Sequence, residues 1–509
     1  MFLSIRLALQ ILRALWRIGL LSLWPRVPVA FLRAWWRCGN SYACLAEFAA
    51  RRFPRHCAVV DDHGSLTFRE LYAKAECLAA ELVKRHALCP GQRVALLCRN
   101  HRDMVVALIA LSRLGVDVLL LGTDSPGPAL QRTLAGQSPR LVLHDAEFAE
   151  PLAGCQTPCQ VIESVPTEPY PRFPRLPRIK RAGRILVMTS GSTGAAKSIA
   201  RHPTLASMLP VVAGLLRALP LRMHAPALSA IPLYHGYGLA VMAMALTFGA
   251  PLYVARRCDI APLLARVPAG APPAVLISIP TLLGRWLGAN PSPTLPLPSL
   301  AAVITGSAPL APGLCRRLLE RLGPCLFNLY GSTEAGIIAL ATPQDLLEAP
   351  GTVGRPLLGN HIRIAPGTTE IQIQGPLVVA APANHWYGTG DVGRVDGQGR
   401  LFVCGRLDAM LVSGGENVYP GETESALLEH PGVADAAIVA VEDPEFGQAM
   451  LAWVVPNPGI AIDGAALREW LGQRLERCKL PRDIKVATAI PRNGLGKVDQ
   501  LALRALKSC

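Results

Sequence analysis

Residues 185–197 have the composition of a phosphate-binding loop. Four apolar residues, Ile185 to Met188, predict the end of a buried strand. Glycines let backbone N–H groups approach a phosphate, hydroxyls add donors, and a lysine ammonium supplies positive charge against oxyanions. The stretch therefore predicts a phosphate site built from Thr189, Ser190, Gly191, Ser192, Thr193, Gly194 and Lys197.

The stretch is compatible with two kinds of phosphate loop. A third and simpler interpretation is a polar turn after a strand. Gly191, Lys197 and Ser198 have the spacing of the P-loop of nucleotide triphosphatases, but Ala196 occupies the place of its required glycine. The other is the Ser/Thr/Gly-rich loop of acyl-adenylate-forming enzymes, which TSGSTGAAK resembles closely. The loop by itself does not decide between them.

Composition predicts a globular protein of at least two packed units. The chain has 509 residues, of which 51% are hydrophobic and 17% charged. Its formal net charge of +15 is compatible with nucleic acid, an anionic membrane or acidic cofactors. The 14 cysteines are scattered, and the closest pair, Cys155 and Cys159, lacks partners at zinc spacing. We therefore expect reduced thiols and a cytoplasmic location.

The excess positive charge is concentrated in a basic N-terminal region, residues 1–56. Residues 1–24 predict an amphipathic helix whose polar stripe contains Arg6, Gln10, Arg13 and Arg17. Arginines interrupt the apolar run before the ~20 residues that a membrane span needs, and no signal-peptide cleavage site follows. Nine arginines accompany one acid, Glu47, up to Arg55. This composition predicts peripheral contact with the inner membrane surface, the alternative being a helix packed on the body of the protein.

Beyond residue 56 the hydrophobic pattern alternates between strands and helices. HCAVVDD and RVALLC predict strands, and a helix is expected from Thr67, its cap, through Lys84. Met104–Leu114 predicts a helix that Gly115 ends, and 116–121 a buried parallel strand. Residues 151–183 predict a loop.

Further Gly, Ser and Thr motifs follow apolar runs later in the chain. AAVITGSAPL at 301–310 and LFNLYGSTEAG at 326–336 place them directly after predicted strands, where open α/β sheets bind ligands. His235 lies in IPLYHGYGL between a strand-like run and an apolar helix, a position that is more often structural. WYGTGDVG at 386–393 precedes two predicted short strands, and 410–509 predicts a compact α+β domain with a helix at 465–477.

Taken together, seven motifs resemble the acyl- and aryl-CoA synthetases of the adenylate-forming superfamily, bacterial fatty acyl-CoA synthetases above all. They are TSGSTGAAK, PLYHGYG, TGSAPL, YGSTEAG, GTGD, GRLDAMLVSGGENVYP and PRNGLGK, within residues 57–504. The resemblance implies an α/β fold, with a large N-terminal domain of layered sheets and helices (57–407) and a smaller α+β C-terminal domain (408–509) hinged at Asp408. It also implies two half-reactions, in which ATP and a carboxylate give acyl-AMP and coenzyme A then takes the acyl group.

The resemblance implies roles for particular residues. Lys497 would contact the carboxylate and α-phosphate, Thr333 would donate to the α-phosphate, and Glu334 would bind Mg²⁺. Tyr330 would stack on adenine, Asp391 would accept from the ribose hydroxyls, and Arg406 would reach the ribose and phosphate. Further ATP or AMP contacts are implied for Gly306, Ser307, Ala308, Gly331 and Ser332. The coenzyme A or acyl path would pass His235, Ser413, Gly414 and Gly415.

Some positions depart from the family's pattern. Ala196 and Ser198 replace the usual proline and glycine around the loop lysine, Ala409 follows the hinge where a second acid is common, and the chain between Gly354 and Thr389 is short. We expect an AMP-forming ligase that converts a medium- or long-chain fatty acid into its CoA thioester, with no nucleic acid partner. The alternatives are a ligase that uses an aryl acid or loads a carrier protein, and a nucleotide-binding membrane-associated protein without turnover. The presence of Lys497 and Glu334 argues against that last possibility.

Overall fold

A computed structural model describes twelve stretches of the chain, which fall into two compact units. The stretches are 26–125, 127–162, 176–179, 181–189, 197–200, 205–289, 298–378, 385–413, 416–443, 447–457, 459–493 and 496–506. One unit comprises Met1–Ile277 with Pro296–Ala302, and the other Ser278–Leu295 with Val303–Cys509. The predicted helix at 1–24, residues 190–194 of the phosphate loop, and Gly414 and Gly415 lie outside the described residues.

The first unit is an α/β assembly. Its helices are α1 Arg26–Cys38, α2 Tyr42–Arg52, α3 Phe68–His86, α4 Arg102–Leu114, α5 Gly127–Gln137, α6 Leu205–Ala218, α7 Gly236–Phe248 and α8 Ile260–Ala265. Its strands are β1 Cys57–Asp61, β2 Gly64–Thr67, β3 Arg93–Leu97, β4 Asp117–Leu120, β5 Leu141–His144, β6 Cys159–Val161, β7 Ile185–Thr189, β8 Lys197–Ala200, β9 Ala227–Ser229, β10 Leu252–Val254 and β11 Ala274–Ser278.

Apolar strands explain the layered architecture of this unit. One sheet has the order β6-β5-β3-β4-β7-β8, parallel except at β8, and a second run has the order β11-β9-β10-β1-β2, antiparallel only at β2. Strand β4 is buried along its whole length, as a parallel strand covered on both faces must be. The predicted strand at 116–121 is thereby confirmed.

Two helix boundaries follow the sequence signals. Thr67 caps α3 through a capping box with Glu70, and α4 ends at Gly115, whose φ is 68°. A Cβ at Gly115 would lie 2.6 Å from the carbonyl oxygen of Arg181, so glycine is required there on both grounds. The predicted loop at 151–183 is wrong at strand β6, which adds to the sheet beside β5; its residues 163–175 and 180 lie outside the described residues.

The described part of the basic N-terminal region packs on this unit, as the alternative to membrane contact predicted. Helix α2 contacts α3 and α4. Glu76 of α3 forms ion pairs with arginines of two other helices. Its carboxylate accepts from Arg37 of α1 at 2.9 Å and from Arg113 of α4 at 2.6 Å, and Tyr72 donates to it at 2.7 Å. Because Glu76 and Arg113 are fully buried, their charges depend on one another. Within the described residues, every helix is too short or too polar to cross a bilayer.

The second unit combines α/β and antiparallel structure. Its helices are α9 Pro280–Ala289, α10 Pro312–Leu322, α11 Pro343–Glu348, α12 Pro420–Leu427, α13 Gly464–Gly472 and α14 Gln500–Arg504. Its strands are β12 Leu300–Gly306, β13 Leu326–Ser332, β14 Gly336–Ala341, β15 Arg355–Pro356, β16 His361–Ile364, β17 Glu370–Gln374, β18 Tyr387–Val395, β19 Leu401–Arg406, β20 Leu411–Ser413, β21 Glu416–Val418, β22 Val433–Asp443, β23 Gly447–Pro456 and β24 Asp483–Val486.

The described strands of this unit form three groups. They have the orders β15-β14-β13-β12, β16-β17-β18-β19 and β21-β20-β23-β22, with β24 beside β23. The last group has its own core, in which Leu427, Leu467 and Leu471 pack on the hairpin of β22 and β23. The predicted helix at 465–477 is too long, because α13 stops at Gly472 and a separate 3-10 turn follows at Arg477–Lys479.

The GTGD segment differs from its prediction. It lies inside strand β18 instead of preceding the strands. Glycine is a poor strand former and obscures the alternating pattern, yet here it is needed. A Cβ at Gly388 would lie 2.4 Å from an oxygen of Glu370, and one at Gly393 would lie 2.2 Å from the carbonyl oxygen of Phe402.

Candidate functional site

The carboxyl ends of β12 and β13 bring two of the predicted motifs side by side. The strands are parallel and Gly306 is in register with Leu329, so Ser307 and Ala308 continue beside Tyr330. A Cβ at Gly306 would lie 2.5 Å from the carbonyl oxygen of Leu329, which excludes any other residue. Ser307 adopts a φ of 69°, a left-handed conformation that is uncommon for a residue with a side chain. The backbone is therefore specialised at the strand edge where open α/β sheets bind ligands.

The turn between β13 and β14 presents the next group of predicted site residues. A Cβ at Gly331 would lie 2.3 Å from the carbonyl oxygen of Gly336, so the two strands approach closely. The Ser332 hydroxyl accepts a hydrogen bond from the backbone N–H of Ala335 at 3.1 Å, which closes the turn. Thr333 and Glu334 lie between them and are both half-buried.

Asp391 joins this turn to the antiparallel sheet. The Tyr330 hydroxyl donates to Asp391 Oδ2, and Arg406 Nη1 donates to Asp391 Oδ1 at 3.1 Å. Asp391 and Arg406 are cross-strand neighbours on β18 and β19. The Asp391 side chain is 14% exposed and that of Arg406 is 51% exposed. The Asp391 carboxylate thus accepts hydrogen bonds from a tyrosine and an arginine while a small part of it remains exposed to solvent.

Arg406 connects the same carboxylate to the predicted hinge. Its Nε and Nη2 donate to the two oxygens of Asp408 at 3.1 and 3.2 Å, a bidentate pair. This hydrogen bond lowers the pKa of Asp408 and raises the pKa of Arg406. Asp408 lies in a short 3-10 turn, Leu407–Ala409, directly after β19. Tyr330, Asp391, Arg406 and Asp408 therefore form one continuous hydrogen-bonded chain.

Glu370 is a supporting residue that the sequence analysis missed. Its Oε1 accepts from the backbone N–H of Gly390 at 3.1 Å, next to Asp391. Gly390 has a φ of 72°, and a Cβ there would lie 3.1 Å from Arg406 Nη2. The alternation of EIQIQ predicts a strand at Glu370, but no local signal predicts which backbone group its carboxylate binds.

Two tyrosines at this site keep their protons. Burial, followed by the charge of Asp391, raises the pKa of Tyr330. Burial, followed by the charge of Glu334, also raises the pKa of Tyr387. Both phenols are therefore neutral near pH 7, and Tyr330 acts as a donor to Asp391.

We expect Tyr330→Phe to lower the free energy of unfolding by about 1 to 2 kcal/mol, because Asp391 loses a largely buried donor while the ring is kept. Urea denaturation measures this loss. Tyr419→Phe is the matched control, since its hydroxyl contacts Thr369 Oγ1 at 3.3 Å at an exposed position. The control should lose less than about 0.5 kcal/mol. Equal losses would contradict a stabilising role for the Tyr330 hydroxyl.

Lys497 belongs to a separate hydrogen-bonded group near the C-terminus. Its backbone N–H donates to Asn493 Oδ1 at 3.0 Å, and its carbonyl oxygen accepts from the backbone N–H of Asn493 at 2.9 Å. Arg492 donates to the carbonyl oxygen of Gly496 at 2.8 Å. The Lys497 side chain is exposed, whereas a Cβ at Gly496 would lie 2.8 Å from Ile279 Cδ1. The loop is thus held by its neighbours and leaves its lysine projecting outward.

The remaining predicted residues lie at ends of elements. Thr189 ends β7 and is in antiparallel register with Lys197, the first residue of β8, so the predicted phosphate loop connects two paired strands. His235 precedes α7 as its N-cap residue, with its ring 4.5 Å from that of Tyr234 between centroids. Ser413 ends β20.

Comparisons with known proteins show the family to which this chain belongs. The AMP-binding enzyme family matches residues 46–383, and the AMP-binding enzyme C-terminal domain matches residues 422–497. The chain belongs to the AMP-binding enzyme family. It is 31% identical to a feruloyl-CoA synthase of an Amycolatopsis species, over 88% of this chain and 95% of the relative. It is 28% identical to a 2-succinylbenzoate–CoA ligase of Bacillus velezensis, over 90% of this chain and 96% of the relative.

A solved relative shares the fold. Structures of o-succinylbenzoate CoA synthetase from Bacillus subtilis, 25% identical, superpose with TM-scores of 0.79 in complex with its acyl-adenylate intermediate and 0.77 with ATP and magnesium ion. They cover 91% and 90% of this chain, and 98% and 99% of the relative. The predicted fold, an α/β chain with a large N-terminal and a smaller C-terminal domain, is confirmed. The predicted class, an AMP-forming acid–thiol ligase, is also confirmed. The predicted use of ATP, Mg²⁺ and coenzyme A is confirmed as well.

Proposed function

We propose that this ligase activates an aryl carboxylic acid and transfers its acyl group to coenzyme A. The observation that carries the proposal is the 31% identity to a feruloyl-CoA synthase along 88% of the chain. The 2-succinylbenzoate–CoA ligase relative also has a substrate with a benzene ring. The substrates of these two relatives favour an aryl acid over the fatty acid that we first expected from the sequence.

The reaction has two steps. In the first, a carboxylate oxygen of the substrate attacks the α-phosphorus of ATP, and the bond from that phosphorus to pyrophosphate breaks. In the second, the sulfur of coenzyme A attacks the acyl carbon, AMP leaves with the bonding electrons, and the thiol proton is released. Negative charge builds around the α-phosphate in the first step, so cations and donors are what the protein must supply.

We assign the nucleotide contacts as the family resemblance implies, and the geometry supports several of them. Among the described residues, Tyr330 donates to one oxygen of Asp391 and Arg406 donates to the other, which leaves each oxygen a second lone pair for a ribose hydroxyl. The Tyr330 ring would stack on adenine, with Gly306, Ser307 and Ala308 beside it. Thr333 would donate to the α-phosphate.

The predicted phosphate loop, 189–194 with Lys197, would hold the phosphates of ATP. Glu334 suits Mg²⁺, which proteins commonly bind through one or two carboxylates together with substrate phosphates. It is half-buried and adjacent to Thr333, so a metal there would neutralise phosphate charge beside the α-phosphate donor. Lys497 would supply a further cation.

The second step depends on a change of arrangement about Asp408. We propose that the boundary between the two domains lies there, that Ser413, Gly414 and Gly415 follow the path of coenzyme A, and that His235 lies along the acyl pocket. The support is the position of Asp408 in a one-turn segment between β19 and β20.

A pyrophosphate-release screen tests the substrate class. Ferulate, 2-succinylbenzoate and benzoate are compared with acetate, octanoate and palmitate, each with and without coenzyme A. We expect the best aryl acid to exceed the best fatty acid in kcat/KM by about tenfold or more, since an unmatched pocket costs at least that factor. A preference for octanoate or palmitate would contradict the aryl proposal. Release coupled to loading of a carrier protein, without need of free coenzyme A, would favour the carrier alternative.

We also propose that the ligase works at the inner membrane surface, as the basic N-terminal region predicts. The support is compositional, since nine arginines accompany a single acid up to Arg55. Tryptophans at positions 16, 24, 35 and 36 add side chains that favour the boundary between lipid and water.

A further inference from the structure

Helix α1 is apolar on its exposed face as well as on its buried one. Phe31, Ala34 and Cys38 face the protein, and the Phe31 ring meets that of Phe48 edge-on at 5.9 Å between centroids. On the other side Val29, Leu32 and Trp36 follow one another at helical spacing and are 49%, 58% and 59% exposed. A surface helix normally turns polar residues outward. The exposed face of α1 therefore has the chemistry of a surface with a partner.

The exposed face is held in place by the rest of the unit. Arg37, the last basic residue of α1, binds Glu76 at 2.9 Å, and Glu76 is in turn paired with Arg113. Cys38 Sγ donates to Glu47 Oε2 at 3.2 Å. These contacts anchor the C-terminal end of α1 to α2, α3 and α4, so the outward direction of Leu32 and Trp36 is a feature of the folded unit.

The surroundings of this face are positively charged. Val29, Leu32 and Trp36 line an open surface hollow together with Arg33, Arg37 and Arg51. The guanidinium of the exposed Arg178 lies 4.8 Å from the centre of the Trp36 ring. Up to residue 60 the single acid is Glu47, which is buried and paired with Arg51 at 2.6 Å. Within this stretch no acid is left to oppose an anionic surface.

We propose that the outward face of α1, Val29, Leu32, Trp35 and Trp36 with Arg33, is a lipid-binding surface for an anionic membrane. The apolar side chains enter the boundary between headgroups and acyl chains, and the arginines meet the lipid phosphates. Tryptophan is favoured at that depth because its ring is apolar and its N–H is a donor. A second copy of the chain suits the face less well, because a stable protein interface needs about 800 Å² from each partner, more than one face of a short helix offers.

This surface rests on the proposed membrane location and gives it a place in the fold, in α1 and outside the predicted amphipathic helix at residues 1–24. It does not depend on the substrate of the ligase. Because α1 is docked on the first unit, its insertion would orient that unit on the membrane. A helix joined by a flexible tether would impose no orientation. The side of the protein that carries Arg178 would then face the lipid headgroups.

Vesicle co-sedimentation of the full chain tests the proposal. The probes are vesicles of phosphatidylcholine with and without phosphatidylserine. Binding should require phosphatidylserine, and the double variant Leu32→Glu with Trp36→Glu should weaken it by about tenfold or more, because it replaces inserting groups with charges that the bilayer repels. Arg33→Gln should weaken it by about fivefold. Leu347→Glu is the matched control, since Leu347 is 55% exposed on α11, and its binding should be unchanged.

Further measurements distinguish lipid binding by this face from lipid binding by residues 1–24 and from contact with a second copy of the chain. Pyrophosphate release and urea unfolding of the double variant should match those of the parent chain. Undiminished vesicle binding by the double variant would overturn the proposal. So would loss of binding on deletion of residues 1–24 alone, because the lipid contact would then belong to that segment. A parent chain that ignores vesicles and sediments as a dimer, with the double variant a monomer, would assign the face to a second copy.

Discussion

Lys497→Ala should lower the rate of pyrophosphate release by about a hundredfold or more while the conversion of supplied acyl-adenylate to thioester is retained. Negative charge develops at the α-phosphate only in the first step, and a well-placed ammonium stabilises that transition state. In the second step the bond under attack lies at the acyl carbon, and the pyrophosphate has gone. The Lys497 ammonium is therefore needed for the first half-reaction, adenylation, and not for thioester formation.

The contacts of this loop make the substitution selective. The hydrogen bonds between residue 497 and Asn493 use the backbone of Lys497 and survive in alanine. Its side chain is exposed, so the free energy of unfolding should change by less than about 0.5 kcal/mol. Gly496, which does pack closely against Ile279 and Thr281, is left in place.

Two assays are needed to interpret this variant. Pyrophosphate release reports the first step, and thioester formation from purified acyl-adenylate reports the second. Lys84→Ala is the control, because it removes the same charge from an exposed position on α3. Equal loss in both assays would make Lys497 structural, and full activity in both would exclude it from adenylation.

How far the sequence predicts the fold depends on whether a feature is local. Thr67 and Glu70 specify the start of α3, and Gly115 the end of α4, because the groups that interact are neighbours along the chain. The strand at GTGD could not be predicted in the same way. Its glycines are needed for contacts with Glu370 and Phe402, which other strands bring close.

The candidate site shows the same division. The motifs identify Tyr330, Asp391 and Arg406 separately, but their hydrogen bonds depend on the pairing of strands far apart in sequence. That pairing includes irregularities between Tyr330 and Gly331 and between Val392 and Gly393, and a shift of one residue turns a side chain to the opposite face. No local pattern predicts such a shift.

Asp408→Pro should leave adenylation within about threefold of the parent rate and lower thioester formation by about a hundredfold, because proline holds φ near −65° where the second step needs a change of backbone dihedral. In the present arrangement Asp408 lies in the 3-10 turn at Leu407–Ala409, whose angles are compatible with that φ. At residue 408 itself, proline should therefore favour the existing φ over a different φ in a rotated arrangement. It also disfavours helical angles at Leu407, so urea unfolding is measured alongside.

Asp408→Asn separates the backbone from the ion pair. The Arg406 guanidinium lowers the pKa of Asp408, so the carboxylate is ionised at neutral pH and both substitutions remove its charge. Only proline restricts φ. Because Asp408 is 47% exposed, loss of the pair should cost less than about 1 kcal/mol of stability in either variant.

The rates of thioester formation of the two variants then distinguish two explanations. If rotation about residue 408 is required, Asp408→Asn forms thioester at close to the parent rate while Asp408→Pro does not. If the pair with Arg406 is what matters, the two variants fall together. A proline variant that forms thioester normally would remove the hinge from Asp408 and, with it, the reason for placing the domain boundary at that residue.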